Sequence, residues 1–429
     1  MRFISSASGG STNRLLRRLA SFTGLSLLGA VSPLIVLPAV ARVGGADGWA
    51  AVTVAQAVGG IAGVLVGLGF NTVGPARLSG TTSDTAARMF SSVQTKRLTA
   101  YAVVGPISAA VSASLATDTH RTLAVLVTLA SATSGLSLAW FAIGVGRAPL
   151  LALYDAVPRL VSSFLGLWAV TATKSLLPYP ILLWVFTLGG LAAFWMKIGF
   201  GRHGDHSPGL KPDWHAAGSE LAATCYVSAP LIVAGIMLPV ADISQLGSID
   251  KLYRYALYGV FAFSMSTLAW VLEDGRSIRA RRTVSLGLVS LGVVGSVLLL
   301  FGGNTLTGVL FGTAVAAPTA ACVGYAVAYL SVASSTPLVQ FRLIPSGDSR
   351  SVLIITAINA VIGLPAMVVL GKIWSVAGVA AGFGLSEFVG LGAAMAATFR
   401  HRSKAALCTT APGVNYTRPP RSDNLGRPG

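Results

Sequence analysis

Asp155 and Arg159 stand four residues apart inside an apolar stretch, a spacing that puts both on one face of a helix. Asp250, Lys251 and Arg254 form a second charged group at the head of another stretch. Arg77 follows a third, and Glu387 lies twelve residues into the last with no cation near it in sequence. A charge at mid-membrane costs about 2.5–3.5 kcal/mol on insertion scales, so each is a functional candidate by default. Arginine suits phosphate because its planar fork donates two parallel hydrogen bonds. Arg77, Arg159, Lys251 and Arg254 are therefore the candidate anion-binding residues, Asp155 and Glu387 the candidate ion-coupling carboxylates, and Asp250 a helix cap or gate. Plainer alternatives stand beside these. Arg159 and Asp155 could simply neutralise one another, Arg77 could anchor topology, and Glu387 could be protonated or pair with another helix.

Catalytic chemistry has no comparable signal. GxxxxGK[ST], GxSxG, HExxH and paired-cysteine spacings are absent, and Cys225, Cys322 and Cys408 stand alone. We expect no catalytic centre, cofactor or metal. His203-Gly204-Asp205-His206 reads as a solvated basic loop.

The elements that must position these charges are membrane helices. Twelve apolar stretches occupy 19–42, 49–70, 98–118, 122–145, 150–173, 176–199, 220–243, 253–273, 283–303, 314–340, 350–371 and 375–398. A bilayer core about 30 Å thick takes roughly 20 apolar residues to span. Alternate connections and the two termini hold 24 of the 31 Lys and Arg, including Arg77, Arg88, Lys96, Arg97 and Arg147. The positive-inside rule then places both termini in the cytoplasm. The +17 net charge is mostly this topology signal, with attraction to anionic membrane lipids, rather than a mark of nucleic-acid binding. The stretch 201–219 is the longest polar interruption. It suggests halves at 1–200 and 220–399, a cytoplasmic linker between them, and a disordered cytoplasmic tail over 400–429. Each half opens on a proline-bearing run, Leu37-Pro38 and Leu238-Pro239, as expected of a repeat. The outer connections are short, the longest near Ser244–Leu252.

Four stretches carry a family resemblance. PLIVLPAVARVGGADGWAAVTVAQAVGGIAGVLVGLGFNTVGPARL over Pro33–Leu78 resembles the opening of the Wzx-type polysaccharide flippases. Trp140–Gly146, Ile249–Tyr253, and Ala377–Ala381 followed by Glu387 resemble the family in the same order. These are O-antigen or teichoic-type exporters of the multidrug/oligosaccharidyl-lipid/polysaccharide (MOP) superfamily. The resemblance implies an all-α polytopic membrane protein, MATE-like, with twelve transmembrane helices in two six-helix bundles working by alternating access. The implied cargo is an oligosaccharide on a polyprenyl pyrophosphate carrier, moved across the bacterial cytoplasmic membrane for surface polysaccharide biosynthesis. An H+ or Na+ gradient is a candidate driving force and a polysaccharide polymerase a candidate partner. The sequence departs from the family at Phe141-Ala142-Ile143-Gly144, where a Gln often precedes that glycine, and at Arg147 in place of an acid. A cation-coupled drug or metabolite exporter of the same superfamily is the alternative. A membrane polysaccharide ligase or polymerase is disfavoured by the short outer connections.

Overall fold

The computed structural model describes residues 32–198, 211–273, 278–346 and 348–410. The expectations for the N-terminal basic segment, most of the linker and the end of the tail lie outside these residues. Backbone groups in hydrocarbon must bond within their own segment. The apolar runs accordingly form helices, and no strand occurs among the described residues. The helices are α1 (Pro33–Gly67), α2 (Phe70–Leu78), α3 (Ser83–Leu115), α4 (Arg121–Ala132), α5 (Ala139–Gly144), α6 (Ala148–Leu151), α7 (Val157–Thr173) and α8 (Pro178–Ile198), followed by α9 (Trp214–Met237), α10 (Val240–Glu273), α11 (Ile278–Phe311), α12 (Thr319–Leu338) and α13 (Ser349–Thr410).

Nine helical segments among the described residues are long and apolar enough to cross a bilayer. Two of these, Pro33–Leu78 (46 residues) and Arg350–Arg400 (51 residues), have about twice the length of one crossing. Each breaks where two separate stretches were expected. In α1 the break is Gly45, at φ 58° and ψ −158°, a conformation open essentially to glycine alone. In α13 it is Trp374–Ser375, with Ser375 at φ 51° and ψ −127°. Ser375 Oγ donates to Asp242 Oδ2 at the start of α10, which holds this unfavourable turn in place. Beyond it, a Cβ on Gly378 would lie 1.8 Å from the Leu370 carbonyl oxygen, so only glycine lets the two arms approach so closely.

Three features differ from the sequence reading. Residues 244–252, expected as an outer connection, are helical, since α10 starts at Val240 directly after Pro239. Their polar side chains turn inward: Ser244, Ser248 and Asp250 are buried. Arg97, expected on a basic connection, lies within α3 and is fully buried. α13 also runs on to Thr410, past residue 400 where a tail was expected to begin.

The core is divided between the two parts of the chain. Before residue 198, Phe90, Trp140, Phe141 and Phe194 interlock with ring centroids 5.0–6.2 Å apart. After residue 214, Tyr253, Tyr325 and Phe383 pack similarly at 5.3–5.6 Å. Phe301, Trp168 and Val361 face outward, as lipid-solvated side chains do. The two parts meet along α1. Midway along it, just past the Gly45 break, Trp49 donates to Ser248 Oγ at 2.9 Å and stacks on Phe311 at 5.0 Å. Just past its C-terminal end Gly69 packs against the Asp213 carbonyl, where a Cβ would sit 2.6 Å away. Gln56 falls between these two contacts.

Candidate functional site

Arg159, Lys251 and Arg254 line one cavity of about 360 Å³ between α1, α7, α8 and α10. The first comes from the N-terminal part of the chain and the other two from the C-terminal part. A neighbouring cavity of about 350 Å³ shares Gln56, Lys251 and Arg254 with it.

Local structure fixes each charge. Asp155 sits in a π-helical turn, Ala152–Ala156, that leads into α7. Such wide turns often occur at functional sites. It is 8% exposed, accepts from Ser137 Oγ, and meets Arg159 Nε at 2.8 Å. The i,i+4 pair read from sequence therefore exists, and the Arg159 guanidinium also reaches the cavity. Asp250 is 1% exposed and holds Arg254 through Nε at 2.6 Å and Nη2 at 3.2 Å. Tyr325 OH donates to the same carboxylate at 3.4 Å, and Arg254 Nη2 also donates to the Val227 carbonyl at 2.8 Å. Asp250 thus lies ten residues inside α10, clamping an arginine, instead of capping a helix start. Its carboxylate satisfies that guanidinium rather than free backbone amides.

Lys251 differs from both arginines. It has no hydrogen-bond or ion-pair partner among the described residues, so of the three cations lining the cavity it is the one not bonded to a carboxylate.

The other candidates lie elsewhere. Arg77, on α2, donates to the Lys211 carbonyl at 2.8 Å and to Asp213 Oδ2 at 3.1 Å. Asp213 in turn caps α9 by accepting from the Ala216 amide at 3.0 Å. Arg77 therefore ties the two parts of the chain together at one end of α1. Glu387 Oε1 accepts from Tyr226 OH at 2.9 Å, and Tyr226 OH also meets Ser386 Oγ. It has no cation within ion-pair distance among the described residues. Of the tryptophans, Trp140 is core and Trp184 donates to Tyr101 OH at 2.8 Å. No group of three or more metal-ligating side chains occurs among the described residues.

Sequence reasoning missed Gln56, Thr187 and Tyr255, which line the same cavity. Gln56 carried a usable signal as an amide in the apolar run after Trp49. It also missed Arg97, whose guanidinium donates to Asn71 Oδ1 at 3.0 Å and the Ser137 carbonyl at 3.1 Å. The same guanidinium lies 5.6 Å from the Phe70 ring and 5.4 Å from that of Trp140.

No family model and no curated protein matches the chain. Solved structures do. An inward-facing multidrug resistance MATE family transporter of the MOP superfamily superposes with a TM-score of 0.63 at 14% identity, over 91% of this chain and 99% of that one. The eukaryotic MATE transporter AtDTX14 gives 0.56 at 12% identity, covering 93% and 100%. A MATE transporter in complex with MaD5 gives 0.51 at 15% identity, covering 92% and 97%. The protein is an all-α membrane protein of MATE-like fold, and at these identities the likeness is one of fold.

Proposed function

We propose that this protein is a flippase that exports an oligosaccharide linked to polyprenyl pyrophosphate across the bacterial cytoplasmic membrane. The observation that carries this reading is the convergence of Arg159, Lys251 and Arg254 from both parts of the chain on one cavity. Two of the three are balanced by Asp155 and Asp250, which limits the cost of holding them in the membrane. Lys251 leaves the site net cationic. A phosphorylated head group would be attracted there, and a cationic drug repelled. Alternating access would move the segments 1–200 and 220–399 against each other, with both termini cytoplasmic. The Arg77–Asp213 pair would tether the two segments at the inner end.

Glu387 favours a second reading, a cation-coupled drug or metabolite exporter. A carboxylate in a membrane helix, held by the Tyr226 hydroxyl and no cation among the described residues, is suited to taking up H+ or Na+. The two readings separate in cells. Deleting the protein should make lipid-linked repeat units accumulate on the inner leaflet. An unchanged pool with normal surface polysaccharide would reject the flippase.

A further inference from the structure

Each part of the chain ends on a helical hairpin. In the first the arms are the spans Ala148–Thr173 and Pro178–Ile198. In the second they are the two arms of α13, before and after the Trp374–Ser375 break. A cation stands where each first arm begins and another where each second arm ends: Arg147 with Lys197, and Arg350 with Arg400. The members of each pair are fifty residues apart in both hairpins. Because the chain doubles back between them, each pair meets at the open end of its hairpin. A cavity lies beside each pair. Arg147 and Lys197 line one of about 380 Å³, and Arg350 and Arg400 line one of about 690 Å³. The positive-inside rule explains cations at helix ends, but not a cavity shared by two of them.

The lining of these cavities defines what would fill them. In the larger one Arg350, Ile354 and Ile358 follow one stripe of α13, about 12 Å of helix. Arg400, Ala397 and Ala393 run the same way along the second arm. The groove thus has a doubly cationic mouth and an apolar floor. Leu353, Met395 and Phe399, in the same stretches of the two arms, are 44–64% exposed, as lipid-facing side chains are. The smaller cavity repeats the plan, with Leu150, Phe194 and Ile198 beside Arg147 and Lys197. All four cations are exposed, and none has an ion-pair partner among the described residues. Lys197 lies 5.6 Å over the Tyr154 ring. Asp348 is the one acid among the described lining residues, and its carboxylate accepts from the Ser351 amide at 3.1 Å and from the Ser351 hydroxyl.

We propose that each hairpin holds an anionic phospholipid of the surrounding bilayer, its phosphate between the paired cations and an acyl chain in the apolar groove. Arginine matches phosphate through its paired donors, and basic pockets between membrane helices are suited to anionic head groups. A soluble anion would leave the apolar floor bare. A zwitterionic lipid would bring a cation of its own to a mouth that is already cationic. Neither cavity shares a residue with that of Arg159, Lys251 and Arg254, so this inference stands apart from what the protein exports.

Native mass spectrometry of the purified full-length protein tests this by counting bound lipids during titration. The probes are phosphatidylglycerol, phosphatidylcholine with the same acyl chains, and inorganic phosphate as a competitor. Two phosphatidylglycerol molecules should bind at least about tenfold more tightly than phosphatidylcholine, and inorganic phosphate should not displace them. A cation near the membrane surface is worth about fivefold in affinity, so Arg350→Gln with Arg400→Gln should weaken one of the two sites about 25-fold. Arg147→Gln with Lys197→Gln should weaken the other, and all four together should abolish the preference. Arg350→Lys with Arg400→Lys should keep it, and melting temperatures check that each variant is folded. Equal affinity for the two lipids, or an unchanged count in the fourfold variant, would overturn the proposal. Ready displacement by inorganic phosphate would also overturn it, as the site would then take the free anion and no lipid.

Discussion

Arg159 and Lys251 face the same cavity from α7 and α10, yet of the two only Arg159 forms an ion pair among the described residues, with Asp155 at 2.8 Å. The difference separates holding a charge in the membrane from using one. Arg159 can be retained by its local pair. Lys251 has no ion-pair partner among the described residues, and the proposed anion binding would account for it.

Lys251→Ala should therefore cut export without harming the fold, because no partner is left exposed. A charge-assisted hydrogen bond is worth about 1.5–3 kcal/mol, so affinity for a diphosphate probe should fall about ten- to a hundredfold. Titration beside membrane abundance checks this. Wild-type affinity in the variant would count against the anion site.

Asp250 and Arg254 should behave as a unit. Asp250→Ala strands a guanidinium beside buried Tyr325, a loss of about 3–5 kcal/mol by the precedent of broken buried pairs. Membrane abundance should drop sharply. The double variant Asp250→Asn with Arg254→Gln should restore abundance while export stays low. Size-exclusion chromatography of a fluorescent fusion reports the first and surface polysaccharide the second.

Gly45→Ala should destabilise through the backbone alone. At φ 58° a side chain is strained whatever space surrounds it, and nothing lies within 4 Å of the position. The expected loss is about 1–3 kcal/mol. Gly60→Ala, also in open space but with ordinary helical geometry, is the control and should leave the melting temperature nearly unchanged.

Much of the scaffold was legible because lipid permits so few structures. Long apolar runs must be helices, and Asp155 and Arg159 could be paired from their spacing alone. Where α1 and α13 turn back was less clear, since one glycine or one Trp-Ser step replaces a loop. The stretch 244–252 looked like a connection because it is polar. Packing explains it: Ser248 receives the Trp49 indole N–H from across the interface. Arg97 was misread for its neighbour Lys96, although Phe90, Val93, Gln94 and Arg97 recur at helical spacing and are all buried. The convergence of Arg159 with Lys251 and Arg254 could not be read at all. It depends on how α7 and α10 pack across two separate parts of the chain.

Glu387→Gln tests the coupled reading. Export from proteoliposomes accelerated by an imposed proton or sodium gradient should lose that acceleration in the variant. Tyr226→Phe, which removes the hydroxyl donating to Glu387 at 2.9 Å, should weaken the response in the same direction. Full stimulation in both variants would assign the cluster to packing.

The most direct trial is reconstituted translocation of a polyprenyl-diphosphate-linked oligosaccharide, read by lectin access to the outer leaflet of liposomes. With wild-type protein, lectin-accessible lipid should appear at least about tenfold faster than in empty liposomes, a difference of about 1.4 kcal/mol in barrier. With Arg159→Gln, Lys251→Gln and Arg254→Gln combined with Asp155→Asn and Asp250→Asn, the rate should return to background. Equal rates for wild type and this variant, or transport of a lipophilic cation with none of the diphosphate lipid, would contradict a cationic passage for a phosphorylated head group.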